Sequence, residues 1–75
     1  MTKIILLLGV KSYHDRTKKL VKQHYPDLKT FSCTGSFEQI IKSIPKNFQV
    51  VAAINRGEEY IETHSKLVDY YQVPG

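Results

Sequence analysis

KIILLLGV, residues 3–10, is the stretch that decides the fold of this chain. Five large aliphatic residues follow one another from Ile4 to Leu8, and Gly9 ends the run. A strand with one face in water alternates apolar and polar side chains, whereas a strand covered on both faces can be apolar throughout. The stretch therefore predicts a central strand of a parallel sheet, with helices packed on both of its faces.

The segment after this strand has the features of a helix. Ser12 and Asp15 approximate a capping box, and Pro26 disfavours helical geometry in the residue before it. A helical spacing of apolar and aromatic residues predicts that one side of this helix faces the core. The predicted core-facing positions are Tyr13, Leu20, Val21 and either His24 or Tyr25.

A second strand and a second helix are predicted next. The strand covers residues 28–33 and is more polar than the first, as is typical of a strand nearer a sheet edge. Ser36 and Gln39 form another capping-box pair, and Pro45 ends the helix that they open. The apolar side of this helix contains Phe37, Ile40, Ile41 and Ile44.

The third strand, residues 48–54, is again largely apolar. Asn55 is predicted to cap the helix after it, and Glu58 and Glu59 complement the positive end of that helix. This helix has the clearest amphipathic stripe of the chain. The stripe consists of Tyr60, Ile61, His64, Leu67, Val68 and Tyr71. The pattern assigns no role to the tail, residues 73–75.

The resulting order, βαβαβα, predicts a single α/β domain over residues 1–75. Right-handed crossover connections place the first strand in the middle of a three-stranded parallel sheet, in the order 2-1-3. Such a minimal domain is equivalent to one half of a Rossmann or flavodoxin-like sheet, flanked by helices. A chain this short has a thin core, so further burial against a partner or a second copy would stabilise it.

Composition and charge exclude several classes of protein. The longest aliphatic run is five residues, which is too short for a membrane span or a signal peptide. A cytoplasmic location is therefore expected, and the single Cys33 agrees with it because one thiol cannot form an internal disulfide. Residues 1–30 carry seven basic and two acidic side chains (+5), and residues 31–75 carry four and five (−1), which gives the net charge of +4.

The turns after strands 1 and 3 form a predicted ligand site. In the order 2-1-3 a crevice opens beyond the carboxyl ends of these strands, where two helix N-termini meet. An anion such as a phosphate or a carboxylate is the expected ligand. The residues assigned to this site are Gly9, Lys11, Ser12, His14, Asn55, Arg56 and Gly57. The alternative is that these residues form only ordinary turns and helix caps.

The turn after strand 1 does not match the motifs of nucleotide-binding loops. A P-loop requires Gly, Lys and Ser or Thr at the positions that His14, Asp15 and Arg16 occupy. A dinucleotide fingerprint requires three glycines close together, and Gly9 stands alone. No cofactor is therefore expected.

No catalytic or metal-ligating set is expected either. Cys33 precedes a predicted helix N-terminus, where a thiol can become acidic, but Gln39 stands where cysteine phosphatases carry an arginine. A structural cysteine at a strand end is the favoured interpretation. His14 and His24 point in different directions on one helix, and His64 lies in an apolar stripe, as is typical of a core histidine. An enzyme is the least favoured class.

Two surfaces are predicted to bind partners. The first is the basic face of helix 1, for which an ordinary solvated surface is the alternative. The second is the side of strand 3 and helix 3, where an open sheet edge and several tyrosines favour a homodimer or another partner. The residues assigned are Arg16, Lys18, Lys19 and Lys22 for the first surface, and Tyr60, Tyr70 and Tyr71 for the second.

Three functional hypotheses follow from these features. The first is a small, non-enzymatic protein that binds another macromolecule, with a protein as the favoured partner; viral and mobile-element proteins acting on host machinery often take this form. The second is a module that binds a phosphate-bearing small molecule at the turns after strands 1 and 3. The third is weak, nonspecific binding of nucleic acid through helix 1. No membrane partner is expected.

Overall fold

Strands and helices alternate along the chain in the computed structural model, which describes residues 1–75. The elements are β1 (Thr2–Gly9), α1 (Lys11–His24), β2 (Leu28–Ser32), α2 (Phe37–Ser43), β3 (Phe48–Arg56), a 3-10 helix (Glu58–Tyr60) and α3 (Ile61–Tyr71). The predicted βαβαβα order is confirmed. None of the helices combines the length and the apolar content that crossing a membrane would require.

The three strands form one parallel sheet in the order β2-β1-β3. Leu6, in the middle of β1, pairs with Phe31 on one side and with Ala53 on the other. Every residue from Ile4 to Leu8 is buried. The predicted central position of the apolar stretch is therefore confirmed, and so is the predicted strand order.

The two faces of the sheet are covered unequally. On one face, which we call the α2/α3 face, a core cluster of nine buried residues includes Ile40 of α2 and Leu67 of α3. On the opposite face, the α1 face, the buried cluster consists only of Ile5, Leu7 and Val21. The domain thus has one large core layer under two helices and one small core layer under a single helix.

A bulge in β3 adds apolar surface to the α1 face. Ile4 pairs with Val50, but Ile5 pairs with Ala52, so Val51 is an extra residue in β3. Val51 and Ala52 are both half-buried, and both pack against the small cluster of the α1 face. Two consecutive residues of one strand therefore contribute to the same face.

α1 begins differently from the prediction. Its first helical residue is Lys11, its N-cap is Val10, and no side chain caps it. Ser12 therefore lies inside the first turn, and its predicted capping role is wrong. The chain can enter the helix this soon after β1 because Gly9, with φ of 97°, makes the turn in a conformation that other residues rarely adopt.

α1 also presents a different side to the sheet from the one predicted. His14 and Val21 are the buried residues of the helix, whereas Tyr13 is 43% and Leu20 is 51% exposed. The predicted core positions of Tyr13 and Leu20 are therefore wrong, and His24 and Tyr25 are exposed as well. The reason is that α1 packs mainly over β1 and β2, so its side toward β3 has no neighbouring helix.

α2 begins as predicted but ends at Ser43, so the predicted place of Ile44 within the helix is wrong, although Ile44 is buried. The Ser36 N–H donates to Gln39 Oε1 at 2.8 Å, and the Gln39 N–H donates to Ser36 Oγ at 3.2 Å. The predicted capping box is confirmed. The helix stops at Ser43 because Ile44, the residue before Pro45, is extended.

The junction between β3 and α3 differs from the prediction. β3 continues to Arg56, so Asn55 lies within the strand. The Asn55 side chain accepts a hydrogen bond of 3.0 Å from the Gly57 N–H, which closes a turn. Its predicted role as the cap of a helix is therefore wrong. A short 3-10 helix that begins with Glu58 comes between this turn and α3.

The predicted stripe of α3 is largely correct. Leu67 is fully buried. Ile61 is 62% exposed, so its predicted core position is wrong. It lies about 120° around the helix from Leu67, at the edge of the stripe, and it is the first residue of the helix. The half-buried members of the stripe are Tyr60, His64, Val68 and Tyr71.

The tail, residues 73–75, covers part of the outer edge of β3. Val73 packs against the large core cluster, and the carbonyl of Pro74 accepts a hydrogen bond of 3.2 Å from the Ala53 N–H. On the same residue of β3, the Ala53 carbonyl accepts a hydrogen bond of 2.8 Å from His64 Nε2. His64 is thus a half-buried histidine, and its ring nitrogen is bonded, as predicted. Neither backbone group of Ala53 is free to pair with another strand.

Replacing the two candidate capping serines tests the assignment of helix starts. Ser36→Ala removes a hydrogen bond to a helix N-terminus and is expected to lower the free energy of unfolding by about 1 kcal/mol. Ser12→Ala is expected to change it by less than about 0.5 kcal/mol, because Ser12 caps nothing. Urea denaturation followed by circular dichroism measures both; equal losses would contradict the assignment.

Replacing two histidines tests the contact at the edge of β3. His64→Ala leaves the Ala53 carbonyl without its partner and is expected to cost about 1–3 kcal/mol of stability. His24→Ala is the matched control, because His24 is exposed at the end of α1, and its expected effect is below about 0.5 kcal/mol. A His64→Ala variant as stable as the control in the same denaturation experiment would rule out a stabilising role for this bond.

Candidate functional site

The turns at the carboxyl ends of β1 and β3 press against each other. A Cβ atom on Gly9 would lie 2.5 Å from the Arg56 carbonyl carbon and 2.6 Å from the Gly57 nitrogen. A Cβ atom on Gly57 would in turn lie 2.9 Å from the Gly9 Cα. The backbones of the two turns are therefore in contact at two glycines, and no side chain fits between them.

The residues of the predicted ligand crevice are divided by this contact. The Asn55 side chain bonds the Gly57 N–H, and the Arg56 guanidinium lies 5.5 Å from the centre of the Tyr13 ring, in a cation–π contact. Arg56 therefore points to the side of α1 that faces β3. Ser12 is exposed in the first turn of α1. Lys11 and His14 lie elsewhere, on the wall of a cavity beside β2.

A small hollow remains between these two turns. It has a volume of about 220 Å³ and is lined by Gly9, Val10, Gly57, Glu59 and Tyr60. The one charged side chain of its lining is an acid, Glu59, which repels anions. The arrangement between β1 and β3 is thus poorly suited to the anion expected from the sequence.

A larger cavity lies on the other side of the β1–α1 turn, toward β2. We call it the β1–β2 cavity, and its volume is about 330 Å³. It combines the first turns of α1 with the end of β2 and the residues that follow that strand. Its walls are formed by Gly9, Lys11, His14, Asp15, Lys18, Ser32, Cys33 and Thr34.

His14 is the one buried polar residue of the protein, with 6% of its surface exposed. His14 is among the residues that line the β1–β2 cavity. The Nε2 atom has no hydrogen-bond partner, and no other buried side-chain nitrogen or oxygen in the chain is left unpaired. Burying a polar atom without a partner costs about 1–3 kcal/mol, so this histidine is an exception within an otherwise satisfied interior.

Cys33 lies on the wall of the same cavity and is 2% exposed. Burial raises the pKa of its thiol from 9.0 to about 11, and a backbone hydrogen bond at Leu7 offsets part of that effect. A thiol with a raised pKa is protonated at neutral pH, so Cys33 is not an activated nucleophile. Because the pKa is higher in the folded chain, the stability that the neutral thiol contributes is complete below about pH 9 and is lost as the pH rises toward 11.

The α1 face leaves an apolar surface uncovered beside α1. β3 contributes the half-buried Val51, Ala52 and Ile54 to it. α1 contributes Tyr13 and Leu20, which lie seven residues apart and therefore on one side of the helix. We call these five residues the open apolar face. The α2/α3 face differs in being covered by two helices.

The charged residues that α1 and β3 place beside the open apolar face are basic. Arg56 stacks on Tyr13, and Arg16 follows Tyr13 by three residues and precedes Leu20 by four, which places it beside both on the helix surface. β3 contains no acidic residue, and the one acid of α1, Asp15, lies on the opposite side of the helix at the β1–β2 cavity. These two elements therefore give the open apolar face two cations at its border.

The predicted basic face of α1 is exposed. Arg16, Lys18, Lys19 and Lys22 are all exposed. Lys18 and Lys22 line the side toward β2, where a shallow groove also contains Lys29 of that strand. Spacings of three and four residues place the four basic side chains next to one another on the helix surface.

The three tyrosines predicted to form a partner surface are not brought together. Tyr60 lies at the opposite end of α3 from Tyr70 and Tyr71, about three helical turns away. The Tyr70 ring is 53% exposed and packs on Phe37 and Tyr71, with ring centres 5.5 and 4.8 Å away. Burial, and secondarily the neighbouring Tyr70, raises the pKa of Tyr71.

No group of three or more His, Cys, Asp or Glu side chains converges in a way that could hold a metal ion.

Comparison with protein-family models, with curated proteins and with solved structures finds no match for the chain. Function is therefore inferred from the geometry of its own residues.

The position of His14 beside the end of β2 was missed at the level of sequence. Predicting it requires knowing which side of α1 faces the sheet, and the apolar spacing of the helix favoured Tyr13 and Leu20 instead. The available signal was the weakness of that spacing, because Leu20 and Val21 are the only aliphatic residues of this 14-residue helix.

The reactivity of Cys33 tests its assignment as a structural residue. The pKa of the Cys33 thiol is about 11 in the folded chain and 9.0 for a free thiol. Modification by a disulfide reagent at pH 8 is therefore expected to be about a hundredfold slower in the folded protein than in urea. Ellman's reagent measures both rates. A folded-state rate equal to the unfolded-state rate would show an accessible, acidic thiol instead.

Proposed function

We propose that this domain binds another protein through the open apolar face, with a helix of the partner packing beside α1. The observation that supports the proposal most strongly is the unequal covering of the sheet: the α1 face has one helix, and the α2/α3 face has two. Contiguous exposed apolar surface with a polar border is typical of protein interaction sites.

The uncovered part of the α1 face has the width of one helix. Adjacent helices pack with their axes about 8–10 Å apart, which is close to twice the spacing of about 4.8 Å between neighbouring strands. A three-stranded sheet therefore accommodates two helices on each face. α1 occupies the position over β1 and β2. A helix over β3 would contact Tyr13 and Leu20 on one flank and Val51 and Ile54 below it.

The charge of the border favours an acidic partner. Arg16 and Arg56 flank the open apolar face, and no acidic residue of α1 or β3 borders it. An amphipathic helix with Leu, Ile or Phe along one stripe and Asp or Glu beside that stripe would complement this surface. A second copy of the chain would place the same cations against each other, which disfavours a homodimer through this face.

The two partner surfaces suggested by the sequence are weaker candidates. On the outer edge of β3, Ala53 already bonds the tail and His64, so a second strand cannot pair along the middle of that edge. Tyr70 is exposed, but its ring is already packed on two others. The basic residues of α1 are exposed, but the acidic Asp15 lies three and four residues from Lys18 and Lys19 and therefore among them. None of these surfaces combines exposed apolar area with a single sign of charge.

Two model peptides test the proposal. One is an 18-residue amphipathic helix with a leucine stripe flanked by glutamates, and the other has lysines in place of the glutamates. We expect the acidic peptide to bind, with an affinity that falls as salt is raised, and the basic peptide to bind at least about tenfold more weakly, because like charges repel. Fluorescence anisotropy of labelled peptides measures both affinities.

A matched pair of substitutions locates the binding surface. Leu20→Lys places a charge in the open apolar face and is expected to weaken binding of the acidic peptide about tenfold or more. Ile61→Lys is the control, because Ile61 is equally aliphatic and is 62% exposed on α3. Equal effects of the two variants, or no binding of the acidic peptide, would overturn the proposal. A dimer in light scattering that Leu20→Lys dissociates would show that a second copy occupies this face.

A further inference from the structure

We infer that the β1–β2 cavity binds a phosphate-type dianion, either free phosphate or the phosphoryl end of a small molecule. This site is separate from the open apolar face, because the two lie on opposite sides of α1. It also differs from the crevice predicted between the turns after β1 and β3. It keeps Gly9, Lys11 and His14 of that prediction, and its other wall comes from β2 and the residues after it.

The first argument is the unpaired histidine. His14 is more than nine-tenths buried, it is among the residues that line the cavity, and its Nε2 has no partner in the chain. The cost of such a group is recovered when a bound molecule supplies the missing hydrogen bond. An imidazole can donate from either ring nitrogen, so an oxygen-rich ligand in the cavity is a suitable partner for it.

The second argument is the start of α1. The first N–H groups of a helix have no partner within the helix, and the helix dipole places positive potential there. In α2 these groups are capped by Ser36. In α1, a helix of 14 residues, no side chain caps them and the first turn contains no acid. Lys11, the first residue of the helix, lines the cavity, so the start of the helix lies beside it. Of the first N–H groups, that of Tyr13 donates to the Val10 carbonyl at 3.0 Å.

The third argument is the charge and the hydroxyl content of the walls. Lys11 and Lys18 contribute two positive charges, and Asp15 contributes one negative charge. The one ion pair of the protein joins Lys66 and Glu62, so neither cavity lysine is paired with Asp15. Ser32 and Thr34 add hydroxyl groups from the β2 side. This combination of ammonium, hydroxyl and backbone N–H donors is the chemistry that binds phosphate oxygens.

The size of the cavity limits the ligand. Its volume of about 330 Å³ is near the lower end of the range of about 300–1,000 Å³ for small-molecule sites. A phosphoryl group with a substituent the size of a pentose fits such a volume. A dinucleotide does not. The phosphoryl group would lie against the start of α1 and the end of β2. The substituent would extend toward the open mouth of the cavity.

A titration followed by NMR tests the inference. Inorganic phosphate and ribose 5-phosphate are added separately to the full chain, and ¹H–¹⁵N spectra record the backbone amides and the His14 ring nitrogens. We expect saturable shifts at millimolar ligand or below for the amides of residues 11–14 and 32–34 and for the His14 ring. Saturation by both probes identifies phosphate itself as the ligand, and saturation by the sugar phosphate alone shows that the substituent is also bound. No saturable shift with either probe would overturn the inference.

Two double variants that remove the same charge distinguish binding in the cavity from general attraction of anions to a basic chain. The double change Lys11→Gln and Lys18→Gln is expected to weaken binding at least about tenfold, because it removes two charge-assisted contacts. The double change Lys19→Gln and Lys22→Gln removes the same charge from residues outside the cavity, and an effect below about twofold is expected. Equal weakening by the two pairs would show nonspecific attraction and refute the site.

A third variant addresses His14 without depending on its charge. His14→Phe keeps a ring of similar size and removes the unpaired nitrogen. Binding is expected to be lost while the melting temperature stays the same or rises, since the buried polar atom is gone. Retained binding in this folded variant would contradict the role of His14. If the variant does not fold, His14→Gln supplies the complementary test: its side chain can still donate a hydrogen bond, so part of the affinity is expected to remain, and binding equal to that of the unchanged chain would contradict the role of His14.

Discussion

Burial of β1 on both faces is the constraint on which the rest of the structure depends. Ile4 to Leu8 present apolar side chains alternately to the two sides of the sheet, and both sides must be covered by helices. The chain has three helices for these two faces. Two of them lie on the α2/α3 face, so the α1 face has only one. The open apolar face and the β1–β2 cavity lie on either side of that single helix.

The elements that could be predicted from the sequence are those with strong local signals. The unbroken aliphatic run specified a central strand, and the handedness of crossover connections then specified the order β2-β1-β3. The pair Ser36 and Gln39 specified the start of α2, because both hydrogen bonds of a capping box depend only on residues three apart. These features need no knowledge of which elements become neighbours.

The orientation of α1 could not be predicted in the same way. Spacing places Tyr13, Leu20 and Val21 on overlapping sides of a helix, but it does not tell which strand that helix will cover. Because α1 packs over β1 and β2, the stripe of His14 and Val21 faces the sheet, and Tyr13 and Leu20 face an uncovered region. For a related reason, the residues assigned to the ligand crevice were not brought together. Contact between Gly9 and Gly57 involves backbone atoms alone, and no side-chain pattern reports it.

α1 is the one helix that has no other helix beside it on its face of the sheet. Both of its flanks are therefore exposed, one beside the open apolar face and the other beside the β1–β2 cavity. A partner helix on the first flank and a small anion at the second would touch different surfaces of the same helix, so neither would sterically exclude the other. The domain could then hold both molecules at the same time.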